Sequence, residues 1–173
     1  DIILKMNDSA KKQLLHNQNF MKKHQIGDYE LKKIISNLSD GARTEILRDK
    51  DLIINRLHLE DFQIAELVKG LSSEDSKKTM LEVYELANYL KVDIINTLNS
   101  DSKLDILLKK DNFSKYDRIK ILQSLDIEIL SGFLAQHRAF CSKNDIHPYE
   151  IICKLDAEQQ KDFLTRLEDI NLT

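Results

Sequence analysis

One arrangement of residues recurs six times along this chain, and it limits the possible folds more than any other feature. A pair of apolar residues is followed three positions later by Leu or Met, and then by a small polar residue. A second apolar pair begins eight or nine residues after that Leu or Met. The copies begin with Ile2-Ile3, Met6, Asn7 and Leu14-Leu15, and continue with Ile34-Ile35, Leu38, Ser39 and Ile46-Leu47. Next come Leu67-Val68, Leu71, Ser72 and Met80-Leu81, then Ile94-Ile95, Leu98, Asn99 and Ile106-Leu107. Ile121-Leu122, Leu125, Asp126 and Phe133-Leu134 form the fifth, and Ile151-Ile152, Leu155, Asp156 and Phe163-Leu164 the sixth. Successive copies start 32, 33, 27, 27 and 30 residues apart. Recurrence at spacings of this size marks an architecture built by stacking one supersecondary unit.

The unit is helical. In the second copy Leu31, Ile34, Ile35 and Leu38 fall at i, i+3, i+4 and i+7, one stripe of an α-helix. Asp28 is the expected N-cap of that helix, and Gly27 the expected left-handed close of the segment before it. Asn7, Ser39, Ser72, Asn99 and Asp156 are residue types that cap a new helix, and Ser72 with Asp75 and Asp156 with Gln159 have capping-box spacing. The polar residue thus ends one helix and starts another, giving an αα-hairpin. Further apolar residues such as Leu52, Ile53, Ile54 and Leu57 predict a short helix or last turn after some hairpins. One proline and four glycines in 173 residues leave too few turn residues for a β-rich fold.

A hairpin of about 30 residues cannot bury both apolar stripes alone, so each must cover its neighbours. Carried by these six residue sets, the chain resembles the α-solenoid class, the HEAT and armadillo-like helical repeats, although its units are shorter and tetratricopeptide and ankyrin signatures are missing. That resemblance implies an all-α, right-handed solenoid of about six degenerate hairpins of 27–33 residues, forming a single domain over residues 1–173. It also implies a non-enzymatic scaffold whose extended surface receives a protein or peptide partner. The first copy lacks most of its leading helix, which predicts further repeats upstream in a longer protein.

Five cations sit near the start of the second helix of their units: Lys11, Arg43, Lys77, Lys103 and Lys161. In stacked repeats they would align as a ladder able to grip an acidic peptide or a phosphate backbone. A nucleic-acid-binding module is therefore the alternative function, and an accessory or targeting segment of a larger enzyme a third. Against nucleic acid stand the net charge of −3 and the pI near 6.0, which give no global basic field. Residues 1–33 are locally basic, and Lys22-Lys23-His24 reads as a solvated turn.

His137, Cys141, His147 and Cys153 are residue types that suit zinc, but their spacing matches no tight knuckle. A small core cysteine and a surface histidine explain such positions, and no metal or cofactor is expected. The aromatics Tyr29, Phe62 and Tyr149 occupy related helix starts, for which packing between repeats is the expected role; Tyr84, Tyr89 and Tyr116 are grouped with them. No glycine-rich phosphate loop, nucleophile elbow or helical zinc-protease motif occurs. Two cysteines point to a reducing intracellular compartment such as the cytoplasm. No apolar run approaches the roughly 18 residues of a membrane span.

Overall fold

The recurring apolar pairs lie on helices throughout the computed structural model, which describes residues 2–170, with side-chain environments for residues 2–166. Among the described residues there is no strand. No helix among them is long and apolar enough to cross a membrane. The chain divides into two compact units, Asp1–Ile94 and Ile95–Thr173.

The first unit contains α1 (Ile2–Lys5), α2 (Asp8–His16), α3 (Gln18–Lys23), α4 (Asp28–Ser36), α5 (Asp40–Arg48), a π-helical turn (Asp51–Arg56), α6 (Asp61–Lys69) and α7 (Glu74–Val83). It also holds the start of α8 (Asn88–Ile95). Within it α4 packs on α6 and α5 on α7, first helix against first and second against second. The second unit contains α9 (Ser100–Lys109), α10 (Lys115–Gln123), α11 (Ile127–Gln136), α12 (Arg138–Lys143), α13 (Pro148–Ile152) and α14 (Ala157–Ile170). Here α10 packs on α13 and α11 on α14, the same correspondence.

Burial follows the sequence pattern. Ile35, Val68, Ile94, Ile121, Leu122 and Ile151 are fully enclosed, and so are Leu15, Leu47, Leu107 and Phe163 on the second helices. Enclosing one such aliphatic or aromatic side chain stabilises by about 1.5–3 kcal/mol. Ile2 and Leu164 are exceptions and remain exposed. Asn7, Ser39, Asn99 and Asp156 cap the second helices as expected: their side chains accept from the backbone N–H three residues on, at 2.9, 3.4, 2.8 and 2.8 Å. Asp156 and Gln159 form a reciprocal capping box, with the Asp156 N–H donating to Gln159 at 3.1 Å. In the third copy the cap is Ser73 rather than Ser72, because the extra residue there delays the helix by one position; the Ser73 hydroxyl accepts from Ser76 at 3.2 Å.

The expected third segment exists after three hairpins, as α3, the π-helical turn and α12. Each ends in a left-handed residue, Gln25, His58 or Asp145, with φ of 50°, 54° and 53°. The residue after it turns inward, with Ile26 donating to Met21 at 3.1 Å and Ile146 to Cys141 at 2.9 Å, the Schellman closure. Gly27 is not the left-handed residue: it is the extended N-cap of α4, with φ −90°, and Asp28 is the first helical residue.

Candidate functional site

The last turn of a helix leaves carbonyls without partners and carries partial negative charge. The cation row meets this need between hairpins. Lys11, Arg43, Lys77 and Lys103 each stand four residues after the cap of a second helix. Lys11 Nζ donates to the carbonyl and side-chain oxygens of Asn37, at the end of α4, at 3.0 and 2.7 Å. Arg43 reaches the Gly70 carbonyl at the end of α6 at 2.7 Å, and also the Ser36 and Leu38 carbonyls. Lys103 Nζ donates to the Ser124 carbonyl at the end of α10 at 2.6 Å. Lys11, Lys77 and Lys103 are only 4%, 7% and 6% exposed. The expected open ladder is therefore not present at these positions, and the phosphate-gripping role loses its basis. Lys161 is exposed and one place out of register; at the matching position Gln160 Nε2 donates to the Ile152 and Leu155 carbonyls at 3.2 and 2.9 Å.

A second row accompanies the first, at the first residue of the same helices. Asp8 accepts from the Ser39 hydroxyl and backbone N–H, and Asp40 from the backbone N–H groups of Ser72 and Ser73 at 2.8 and 3.1 Å. The Ser100 hydroxyl donates to the Asp126 carboxylate at 2.7 Å and accepts from its N–H at 3.0 Å. The Ser39 hydroxyl holds the Asp8 carboxyl below its usual range against the opposing effect of desolvation, with the Ser39 N–H and the charges of Lys11 and Lys12 helping.

His137, Cys141, His147 and Cys153 are not drawn together. No group of three or more His, Cys, Asp or Glu among the described residues is placed to hold a metal ion. Cys141 is buried and Cys153 exposed. His137 stacks on Phe133 at 4.7 Å, and the His147 N–H is capped by Glu150 at 2.9 Å. An open cleft of about 780 Å³ in the first unit is crossed by the Lys12–Glu45 ion pair at 2.7 Å, while Arg56 at its rim is held by Asp51.

The aromatics depart most from expectation. Tyr29, Phe62, Tyr89, Tyr116 and Tyr149 are 74%, 50%, 61%, 65% and 67% exposed, so they do not serve as packing between hairpins. All five occupy the second residue of a first helix: α4, α6, α8, α10 and α13. Three residues before each lies an aliphatic or aromatic side chain, Ile26, Leu59, Leu86, Phe113 or Ile146. All of these are buried except Ile26, which is half-buried. Tyr84 alone is enclosed; its hydroxyl donates to the Leu47 carbonyl at 2.5 Å, and burial pushes the phenol pKa well up.

No family model matches the chain, and no curated protein or solved structure matches it either. The site is accordingly defined by its geometry alone. The sequence held a usable signal for the aromatic register. At about 100° per residue, Tyr29 lies about 140° from Ile34 and about 180° from Leu38, opposite the buried stripe. Phe62 has the same offsets from Leu67 and Leu71. A shared helix start suggested packing, whereas the angular position points to solvent.

Proposed function

We propose that this chain is a non-enzymatic interaction module, a right-handed solenoid of helical hairpins that presents the exposed aromatic positions of its first helices to a protein or peptide partner. The recurrence of Tyr29, Phe62, Tyr89, Tyr116 and Tyr149 at one register, all exposed, carries this reading. Single exposed apolar residues are ordinary, but five at one position in successive units are not explained by packing. Tyrosine offers large contact area at low entropy cost and is enriched at contact surfaces. The cation row supports the solenoid, since in both units it joins a second helix to the end of the following hairpin's first helix by a cation-to-carbonyl bond.

Affinity capture with the chain tests the reading. Replacing Tyr29, Phe62 and Tyr89 together by Ser leaves the buried stripes intact and is expected to reduce recovery of a specific partner by about tenfold or more. A partner recovered equally by the variant, with unchanged circular dichroism, would remove the aromatic positions from the interface. Small-angle scattering tests the shape: a globule of this length has a radius of gyration of about 16 Å, and a solenoid exceeds it. A value at the globular figure overturns the solenoid.

A further inference from the structure

Resting on the interaction reading, we infer that the aromatic edge of the first unit receives a lysine- or arginine-rich extended segment of a partner protein. The edge is defined by α4 and α6. Arg43 bonds the carbonyls of Ser36 and Gly70, the trailing ends of these two helices. Lys32 on α4 meets Glu66 on α6 midway, at 4.0 Å. The helices therefore run side by side in the same direction, and their leading ends bring Tyr29 and Phe62 next to each other. Packed helix axes lie about 8–10 Å apart, a stride of about three extended residues.

Charge selects the occupant. The caps and first three residues of α4 and α6 hold Asp28, Glu30, Glu60 and Asp61, all exposed, with no Lys or Arg among positions 27–30 and 60–63. Glu85, just ahead of α8 and Tyr89, continues the pattern. Helix dipoles explain why acids are tolerated at these ends, but not why an exposed aromatic ring stands among them. Acid and ring together form a surface for cations, through ion pairing and attraction to the ring face. The track is confined to the leading ends. Lys32, Lys33 and Lys69 lie further along the helices, and Lys22 and Arg56 line a cleft that Asp28 also borders, where Arg56 is held by Asp51.

The second unit supplies an internal template. There the Lys120 ammonium lies 5.0 Å over the Tyr116 ring. Lys115 is ion-paired with both Asp145 and Glu150, at 3.2 and 3.0 Å. The edge of that unit is thus already occupied by lysines of its own chain. Four residues after Phe62 and Tyr89, where Tyr116 has Lys120, stand Glu66 and Asp93, whereas Tyr29 has Lys33. Phe62 and Tyr89 thus have an acid in place of the covering lysine; Glu66 is paired with Lys69 at 2.7 Å, and the cation for the ring faces comes from the partner segment.

Selection of a short random-peptide library on the full chain, followed by fluorescence anisotropy of the recovered peptides, tests this. The expected peptides are rich in Lys or Arg. Their affinity falls about tenfold on Tyr29→Ala/Phe62→Ala and also on Asp28→Asn/Glu30→Gln/Asp61→Asn, and is unchanged by Tyr116→Ala/Tyr149→Ala. Peptides that respond to Tyr29→Ala/Phe62→Ala yet are neutral or acidic overturn the basic-segment inference and leave the interaction reading standing. If no recovered peptide responds to that aromatic pair, both fall.

Discussion

The two units meet the same structural need in different ways. In the first, both hairpin junctions are polar: Asp8 with Lys11, and Asp40 with Arg43, supply an acceptor for the next cap and a donor for the next helix end. The second begins alike, with Ser100 and Lys103 reaching Asp126 and Ser124. At the following junction the corresponding positions are Ile127 and Leu130. There α11 and α14 pack through apolar contacts, with Leu130, Phe133 and Phe163 buried. The carbonyls at the end of α13 are served from the first helix instead, where Gln123 Nε2 donates to Glu150 and Ile151 at 3.2 and 3.4 Å. The stable requirement is a satisfied helix end, and the residue that meets it can change position.

This contrast predicts where each unit is most fragile. The apolar junction should suffer most from truncation: Phe163→Ala opens a cavity in a fully enclosed site and should cost about 3–5 kcal/mol in urea unfolding. A cost below about 1 kcal/mol would mean that packing at Phe163 does not hold this junction. The polar junctions should respond to loss of the donor. Arg43→Met and Lys103→Met each leave helix-end carbonyls without a partner and should cost about 1–3 kcal/mol. Gln123→Leu, its counterpart in the second unit, should fall at the lower end, because its two bonds are long and carry no charge. If the methionine variants equal or exceed wild-type stability, these cations are dispensable and apolar contact alone holds both junctions.

Much of this organisation was legible from periodicity, because burial of a helix stripe depends on spacing that any reader of the chain can count. Ile34, Ile35, Leu67 and Val68 lie in the core for that reason. The caps at Asn7, Ser39 and Asn99 were legible too, since capping is a local bond over three residues. The role of Lys11 was not. Its spacing is visible, but its acceptor lies 26 residues away, and only the packing of α2 against α4 brings the ammonium to Asn37. The aromatics show a third case. Their register was visible, yet exposure depended on combining that register with the angular position of the stripe. In α13 the comparison is harder still, because the helix has five residues rather than the nine of α4 and α6.

The smallest expected effect concerns acid, and it tests the first junction, where the carboxyl stands on the second helix rather than on the next cap as at Ser100. The Ser39 hydroxyl lowers the Asp8 carboxyl from its ordinary value of 3.8. The unfolded chain therefore binds a proton at this site more readily than the folded one. Its contribution is fully present above that ordinary value and fades as the pH falls through the lowered folded value. Ser100, at the same position in the second unit, reverses the arrangement: its hydroxyl donates, and the carboxylate acceptor is Asp126 on the next cap. Urea unfolding at neutral pH and again below pH 3.8 should show the Asp8→Asn variant and wild type converging in acid. Asp8 is exposed, so the gap should be small. An Asp8→Asn gap that stays constant across this range would mean that the Ser39 contact does not depend on the charged carboxylate.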